Sequence, residues 1–327
     1  MDDQTRRAWA YLSRVAEPPN PRLADLIVSF GAVEAADRIR RRALTDPRLA
    51  RATEARFDID SAEKDLELLD RMDGRLVTAE DDEWPRLAFG SFRGVDSKQR
   101  PQAHPPLVLW AVGPARLCDV AERAASIVGT RAATGYGEHV AADLAAGLVE
   151  RYVTVVSGAA YGIDGAAHRA ALAAEGETVA VMAAGVDVPY PSGHSALLHR
   201  IARHGVVVSE YPPGTRPTRR QFLARNRLVA ALSGATVVVE AGARSGAANT
   251  AAWAHALGRQ VGAVPGPVTS SSSVGCHVLI SAGASVVTRA ADIVELVGRV
   301  GELAPDLVRP VSVVDDLTDV ELAVYEA

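Results

Sequence analysis

Lysine is nearly missing from this 327-residue chain. Only Lys64 and Lys98 occur, so 33 of the 35 basic residues are arginine. A P-loop lysine, a Schiff-base lysine and a Ser-Lys dyad are therefore excluded from the later two-thirds. Cysteine is scarce too. Cys118 and Cys276 stand far apart without metal-ligand spacing, which argues against structural zinc and a disulfide framework and points to the cytoplasm. No apolar run is long enough to span a membrane, and Met-Asp-Asp-Gln-Thr-Arg-Arg at the start lacks the apolar core of a signal peptide. Excess positive charge is also lacking: net charge is −5 and pI is near 5.9. That is not the footprint of a protein coating duplex DNA with its whole surface, although it permits one focused cationic site.

What is present is a chain of 48 % hydrophobic residues, enough for a real core. Its length suits two domains, or one large α/β domain with an appendage. Residues 1–72 read as a small helical module, SAM-like or helix-hairpin-helix-like in size. Trp9, Leu12 and Val15, then Leu23, Leu26, Ile27 and Phe30, recur at helical spacing. Pro18-Pro19-Asn20-Pro21 breaks the first helix from the second, and Gly31 is placed to end the second. A helix-hairpin-helix DNA contact wants a Gly-x-Gly hairpin, which this break lacks, so the module is given no nucleic-acid role. Residues 73–300 form the main unit. Its early part holds two short strands, Arg75–Thr78 and Pro106–Gly113. The polar stretch from Phe92 to His104 between them reads as a surface insertion.

From Ala125 short β-branched runs alternate with amphipathic stretches. The runs are Ser126–Val128, Val153–Val156, Thr178–Val181, Val206–Val208, Thr236–Val239, Val261–Val264 and Ser285–Val287. Strands apolar on both faces are covered by helices on both faces, and spacers of about 20 residues suit crossover helices. The pattern predicts an α/β fold, a doubly wound parallel sheet. The turns after these strands are small and polar: Gly129-Thr130-Arg131, Ser157-Gly158-Ala159-Ala160-Tyr161-Gly162, Ala184-Gly185, Ser209-Glu210-Tyr211-Pro212, Glu240-Ala241-Gly242 running into Ser245-Gly246, and Pro265-Gly266-Pro267. In a parallel sheet all of them lie on the carboxyl edge, where ligands bind and where helix N-termini favour anions. Asp164 is placed to cap the helix through His168. The dinucleotide fingerprint is missing, because Gly135-x-Gly137 comes too late after its strand and lacks a third glycine.

On the same edge falls a cluster of arginines without an acid among them, at Arg216, Arg219, Arg220, Arg225 and Arg227, with Phe222 inside it. Guanidinium groups pair phosphate oxygens and a ring offers a stacking platform. The plain alternative is a solvated helix face, and arginine excess alone also fits a GC-rich genome. From Gln221 the chain reads as a helix whose core stripe is Ala224, Leu228, Ala231 and Leu232, with Phe222 and Asn226 on the far side.

The ordered motifs from Ala125 to about Gly298 resemble the DNA processing protein A (DprA/Smf) family. They are Ile127-Val128-Gly129-Thr130-Arg131 with Thr134-x-x-Gly137, Val156 through Asp164 with Ala167-His168, Gly185 with Tyr190-Pro191, and Ser209-Glu210-Tyr211-Pro212. Phe222-x-x-Arg225-Asn226-Arg227 follows, then Glu240-Ala241 with Ser245-Gly246 and Thr250, and Gly258-Arg259 with Pro265-Gly266. Trp84-Pro85 stands where the family usually has Tyr-Pro. The resemblance implies an extended Rossmann-like domain that forms a homodimer and binds single-stranded DNA taken up in natural transformation. It implies delivery of that DNA to RecA, with no cofactor and no catalytic residue. The binding residues so implied are Thr130, Arg131, Ser157, Gly158, Tyr161, Gly162, Arg219, Arg220, Phe222, Arg225, Asn226, Arg227, Ser245, Gly246 and Thr250. Tyr161 replaces an arginine of many members, Leu223 a proline, and Ala248-Asn249 a Leu-Ile pair. Many members carry a C-terminal winged helix. Here residues 301–327 form a tail in which Thr318-Asp319-Val320-Glu321 looks like a helix start, so that module is expected to be absent or truncated.

Two other readings compete. An enzyme of the lysine-decarboxylase-like phosphoribohydrolase type would use Glu240, beside Ser245-Gly246, to orient a water or hold a ribose hydroxyl. Against it, the Pro-Gly-Gly-x-Gly-Thr turn of those enzymes is not supplied by Pro265-Gly266-Pro267, and a structural carboxylate is the plainer role for Glu240. A scaffold with a vestigial pocket is the third. His168 reads as a structural histidine. His194, His199 and His204 repeat every five residues, do not share a helical face, and are assigned no metal.

Overall fold

The computed structural model describes residues 1–243, 245–298 and 324–325. The expected helix start at Thr318–Glu321 lies outside the described residues. Four helices open the chain: α1 (Asp3–Val15), α2 (Pro21–Arg40), α3 (Pro47–Thr53) and α4 (Ala62–Asp70). Asn20 caps α2 by accepting from Leu23 N, and Pro21 takes the first helical position, where its missing N–H costs nothing. Gly31 does not end α2. It takes a non-helical conformation (φ 77°) in the middle, and the helix resumes to Arg40.

The remaining elements alternate. In order they are β1 (Gly74–Thr78), α5 (Arg86–Gly90), β2 (Val108–Val112), α6 (Leu117–Glu122), β3 (Ala124–Val128), α7 (Gly135–Val149), β4 (Thr154–Ser157), α8 (Ile163–Ala173) and β5 (Thr178–Met182). Then come α9 (Ser195–His204), β6 (Val206–Ser209), α10 (Arg219–Ala231), β7 (Ala235–Val238), α11 (Gly246–Ala256), β8 (Gln260–Ala263), α12 (Val274–Ser281), β9 (Ser285–Val286) and α13 (Ala290–Val297). The described strands form one sheet in the order β1-β2-β6-β5-β4-β3-β7-β8-β9. From β6 to β9 all pairings are parallel; β2 runs antiparallel to both β6 and β1. The α/β doubly wound sheet expected from the strand pattern is therefore present. The chain winds from β3 out to β6, then returns beside β3 with β7, which puts the topological switch point at β3.

Period-two alternation divides the core. On one face Ala125, Ile127, Val155 and Val237 meet Leu144, Leu148, Ile163 and Ile293 of α7, α8 and α13. On the other, Val128, Val156, Val181 and Val238 meet Leu228 and Val229 of α10 and Ala251 and Trp253 of α11. The four N-terminal helices share a third cluster with the sheet: Trp9, Leu12, Leu23 and Ile39 close over Leu76, Val108, Trp110 and Val112 of β1 and β2. Arg14 adds a polar clasp. Its Nε and Nη2 donate to Asp65 Oδ2 and Oδ1, each at 2.8 Å, and Nη2 also donates to Pro213 O at 2.7 Å. The helical module is thereby joined to the loop that leads into α10. The stretch from Phe92 to His104 is not all surface: Phe92 and Ala103 are each 3 % exposed in the main core, Val95 packs against it half-buried, and residues 96–99 face water. No described helix is long and apolar enough to cross a membrane.

His168 of α8 is fully buried, and its Nδ1 lies 2.7 Å from Thr178 Oγ1. That hydroxyl donates to Val155 O, so it accepts from Nδ1–H, and the ring is a structural element of the core. Burial depresses its pKa to about 3, with the nearby His194 and Arg225 adding to the shift. A neutral imidazole in the fold against an ordinary one unfolded stabilises fully above pH 6.5, and that stability is lost as pH falls toward 3. The urea midpoint of the native chain should therefore fall between pH 7 and pH 4.5, and His168→Gln should show a shallower pH slope over the same window whatever its absolute stability.

Candidate nucleic-acid interface

The site is built on α10. Thr218 and Gln221 form a capping box: Thr218 Oγ1 accepts from Gln221 N at 3.4 Å, and Gln221 Oε1 accepts from Thr218 N at 2.7 Å. The first turn carries Arg219 and Arg220, both exposed. From Arg219 onward, Arg219, Phe222, Leu223, Asn226 and Val229 recur three and four residues apart, as one helical face must. With Arg225 they form one wall of a cleft of about 820 Å³. The facing wall comes from the carboxyl edge of the sheet: Gly129, Thr130 and Arg131 after β3, Gly158, Ala160 and Asp164 after β4, Tyr190 after β5, and Gly242, Ser245, Gly246 and Thr250 after β7. The cleft thus lies outside the strand ends at the switch point.

At its mouth the Arg131 guanidinium carbon stands 5.0 Å from the centroid of the Phe222 ring. Arg131 is exposed and forms no ion pair among the described residues. The Phe222 ring is partly exposed, with Tyr190 tilted against it at 5.3 Å between centroids. Tyr161, 46 % exposed, borders a small recess with Arg131, Tyr190 and Phe222. Its hydroxyl accepts from Gly193 N at 3.2 Å and its ring meets His194 edge-on. Three rings and a free guanidinium therefore surround one opening. Gly162 makes this possible. Its φ of 74° suits glycine, and a Cβ there would strike the Thr130 carbonyl oxygen, so the loop after β4 lies directly on the loop after β3.

Arg225 is at the cleft wall but is no surface cation. It is 5 % exposed, and its Nη1 donates to Val181 O. The guanidinium rests on the backbone of Gly158, where any Cβ would collide with Nη1. Burial lowers its pKa to about 10, with Asp164 opposing that shift and Arg131 adding to it. Asp164 does not cap α8 as expected. Gly162 holds the cap position, and Asp164 Oδ2 instead accepts from Gly158 N at 3.2 Å and Ala160 N at 3.4 Å, fixing the loop after β4. Burial raises its pKa, while Arg225 and these amides pull the other way.

Other sequence expectations are redistributed. Arg227 is 0 % exposed and never reaches the cleft: Nη2 donates to Glu210 Oε1 and Oε2 at 2.6 and 2.8 Å, and the group lies over the Phe92 ring. Residues 225 and 227 are about 200° apart on a helix, so one cleft cannot take both. Ser157 is fully buried, its Oγ donating to Ile127 O at 2.6 Å. Ser245 caps α11 by accepting from Ala248 N, and Thr250 Oγ1 reaches Gly246 O at 3.4 Å. Asn226 donates to Asn249 Oδ1 at 3.2 Å. Arg220 lies outside this cleft, in a neighbouring one. Glu240 is 2 % exposed beneath α7, accepting from Thr134 N at 2.9 Å and Thr134 Oγ1 at 2.6 Å. Its carboxylate is spent on the fold, the plainer of its two expected roles. Sequence reasoning alone does not mark Tyr190 and Asp164 as site residues. The Tyr190-Pro191 doublet after a strand is the available signal for the first, and the motif that runs from Val156 to Asp164 on the ligand edge is the signal for the second.

A Rossmann-like sheet with a cationic, ring-bordered cleft at its switch point defines an α/β protein suited to an anionic ligand that has stackable rings. The family model for DNA recombination-mediator protein A matches residues 75–298, and the chain belongs to that family. A putative DNA processing protein DprA of Mycobacterium tuberculosis is 67 % identical over 327 residues, 100 % of this chain and 84 % of that protein. The X-ray structure of DNA processing protein A from Streptococcus pneumoniae superposes with a TM-score of 0.72 at 29 % identity, covering 91 % of this chain and 99 % of that one. A structure of DNA processing protein A from Helicobacter pylori, described for its single-stranded DNA binding mode, gives a TM-score of 0.58 at 28 % identity, covering 68 % of this chain and 94 % of that one.

Because Arg227 completes a buried pair, Arg227→Ala should leave the Glu210 carboxyl buried without its counter-charge. It should lower the unfolding free energy by about 3–5 kcal/mol in urea titration.

Proposed function

We propose that this chain binds single-stranded DNA in the cleft between α10 and the carboxyl edge of β3, β4 and β7, and holds it without altering it. Arg131 and Arg219 would pair phosphates, Phe222 with Tyr190 or Tyr161 would stack bases, and the glycines of the loops would let the backbone approach. The observation that carries the reading is the exposed, carboxylate-free Arg131 guanidinium 5.0 Å from the Phe222 ring at the mouth of the cleft. In the fuller form of the proposal the protein acts in the cytoplasm as a homodimer, protects incoming strands in natural transformation and delivers them to RecA. Membership of the DNA recombination-mediator family supports that form, as does the single-stranded DNA binding mode studied in the Helicobacter pylori relative.

Fluorescence anisotropy with labelled oligo-dT tests it. Phe222→Ala should weaken binding by about 1–3 kcal/mol. Arg131→Ala should flatten the dependence of log affinity on log salt by about 0.7 for the one phosphate released. Equal affinity for blunt duplex and single strand would refute the stacking role, since paired bases do not offer their faces.

A further inference from the structure

A second cleft, of about 480 Å³, adjoins the first across the opening turn of α10. Arg219 and Leu223 line both. Arg100, Gln102, Arg220, Asn249 and Trp253 complete the second. None of its three arginines forms an ion pair among the described residues. The contrast with the helical module is sharp, for there Arg6, Arg14, Arg22, Arg38, Arg40 and Arg56 each meet a carboxylate. Most arginines of the helical module are thus paired, whereas all three that line this cleft are without a carboxylate among the described residues. Arg100 is held in place without a counter-charge. Its guanidinium carbon lies 5.0 Å from the Trp253 ring centroid, and Trp253 itself is 4 % exposed. A buried indole fixes the cation by its face and leaves its N–H groups free to donate. Asn249 accepts from Asn226, a wall residue of the first cleft, so the two clefts are joined by a hydrogen bond as well as by α10.

Three like charges around one concavity repel each other until an anion arrives. The shared Arg219 means that an anion continuous with the first cleft satisfies this condition. We propose that the strand held at Arg131 and Phe222 runs over the first turn of α10 into the second cleft, where Arg100 and Arg220 take its next phosphates. This rests on the single-stranded DNA reading of the first cleft and adds a second phosphodiester subsite to it.

The test compares the full chain with an Arg100→Ala, Arg220→Ala double variant on labelled dT4 and dT12. The variant should bind dT12 about five- to tenfold more weakly, with a salt slope lower by about 1.4 for two phosphates lost, while its affinity for dT4 stays within twofold of the native chain. Arg131→Ala should weaken both lengths, and the Arg100→Lys, Arg220→Lys variant should regain most of the dT12 affinity because it restores the charges. Unchanged dT12 affinity and slope in the double alanine variant would overturn the proposal. So would an equal loss on both lengths, which would place the two arginines in the general field of the first cleft. If the native chain bound neither length, the reading of the first cleft would fail, and the second subsite with it.

Discussion

A guanidinium with almost no water around it holds the site together. Arg225 sits on the bare backbone of Gly158, donates to the carbonyl of Val181, and faces Asp164, itself buried and bonded to amides of the same loop. Taking either charge out of water alone would cost several kcal/mol. Taken together, each offsets the other, as the opposing pulls on their two pKa values indicate. The arrangement ties α10 to the ends of β4 and β5, and so fixes the width of the cleft. It also leaves the mouth open: the internal cation handles the scaffold, and Arg131, stacked on Phe222, meets no carboxylate among the described residues.

The strands were legible because β-branched runs buried on both faces have few alternatives, and because spacers of crossover length leave little choice of topology. All nine described strands overlap the runs read from the sequence, although the edge strands β1 and β9 are not buried on both faces. The loops were legible as a set, since small residues after each parallel strand must share one edge. Family resemblance gave the same edge a ligand, and Thr130, Arg131, Gly158, Phe222, Asn226, Ser245 and Gly246 do line one cleft.

What the sequence concealed is which way each charge points. Arg225 and Arg227 look equivalent in a list of arginines, yet a helix sends them to different sides, one to the cleft wall and one to Glu210. Asp164 has the position of an ordinary helix cap, but its carboxylate turns back to the preceding loop because Gly162, with a positive φ, already opens the helix. Phe92 and Ala103 bound a polar stretch that looks dispensable, and only tertiary packing reveals that both ends are anchored in the core. Each of these depends on contacts between residues far apart in the chain, which local periodicity does not encode.

The shared cluster between the first four helices and the first two strands carries a practical consequence. Composition suggests a seam near residue 72, but the shelf formed by Leu76, Val108, Trp110 and Val112 is roofed by Trp9, Leu12, Leu23 and Ile39. A fragment begun at that seam would present a greasy ledge to solvent and would also sever the clasp from Arg14 to the carbonyl of Pro213. Such a truncated chain would tend to clump, so tests of the sheet portion by itself call for a replacement roof or solubilising changes along that ledge.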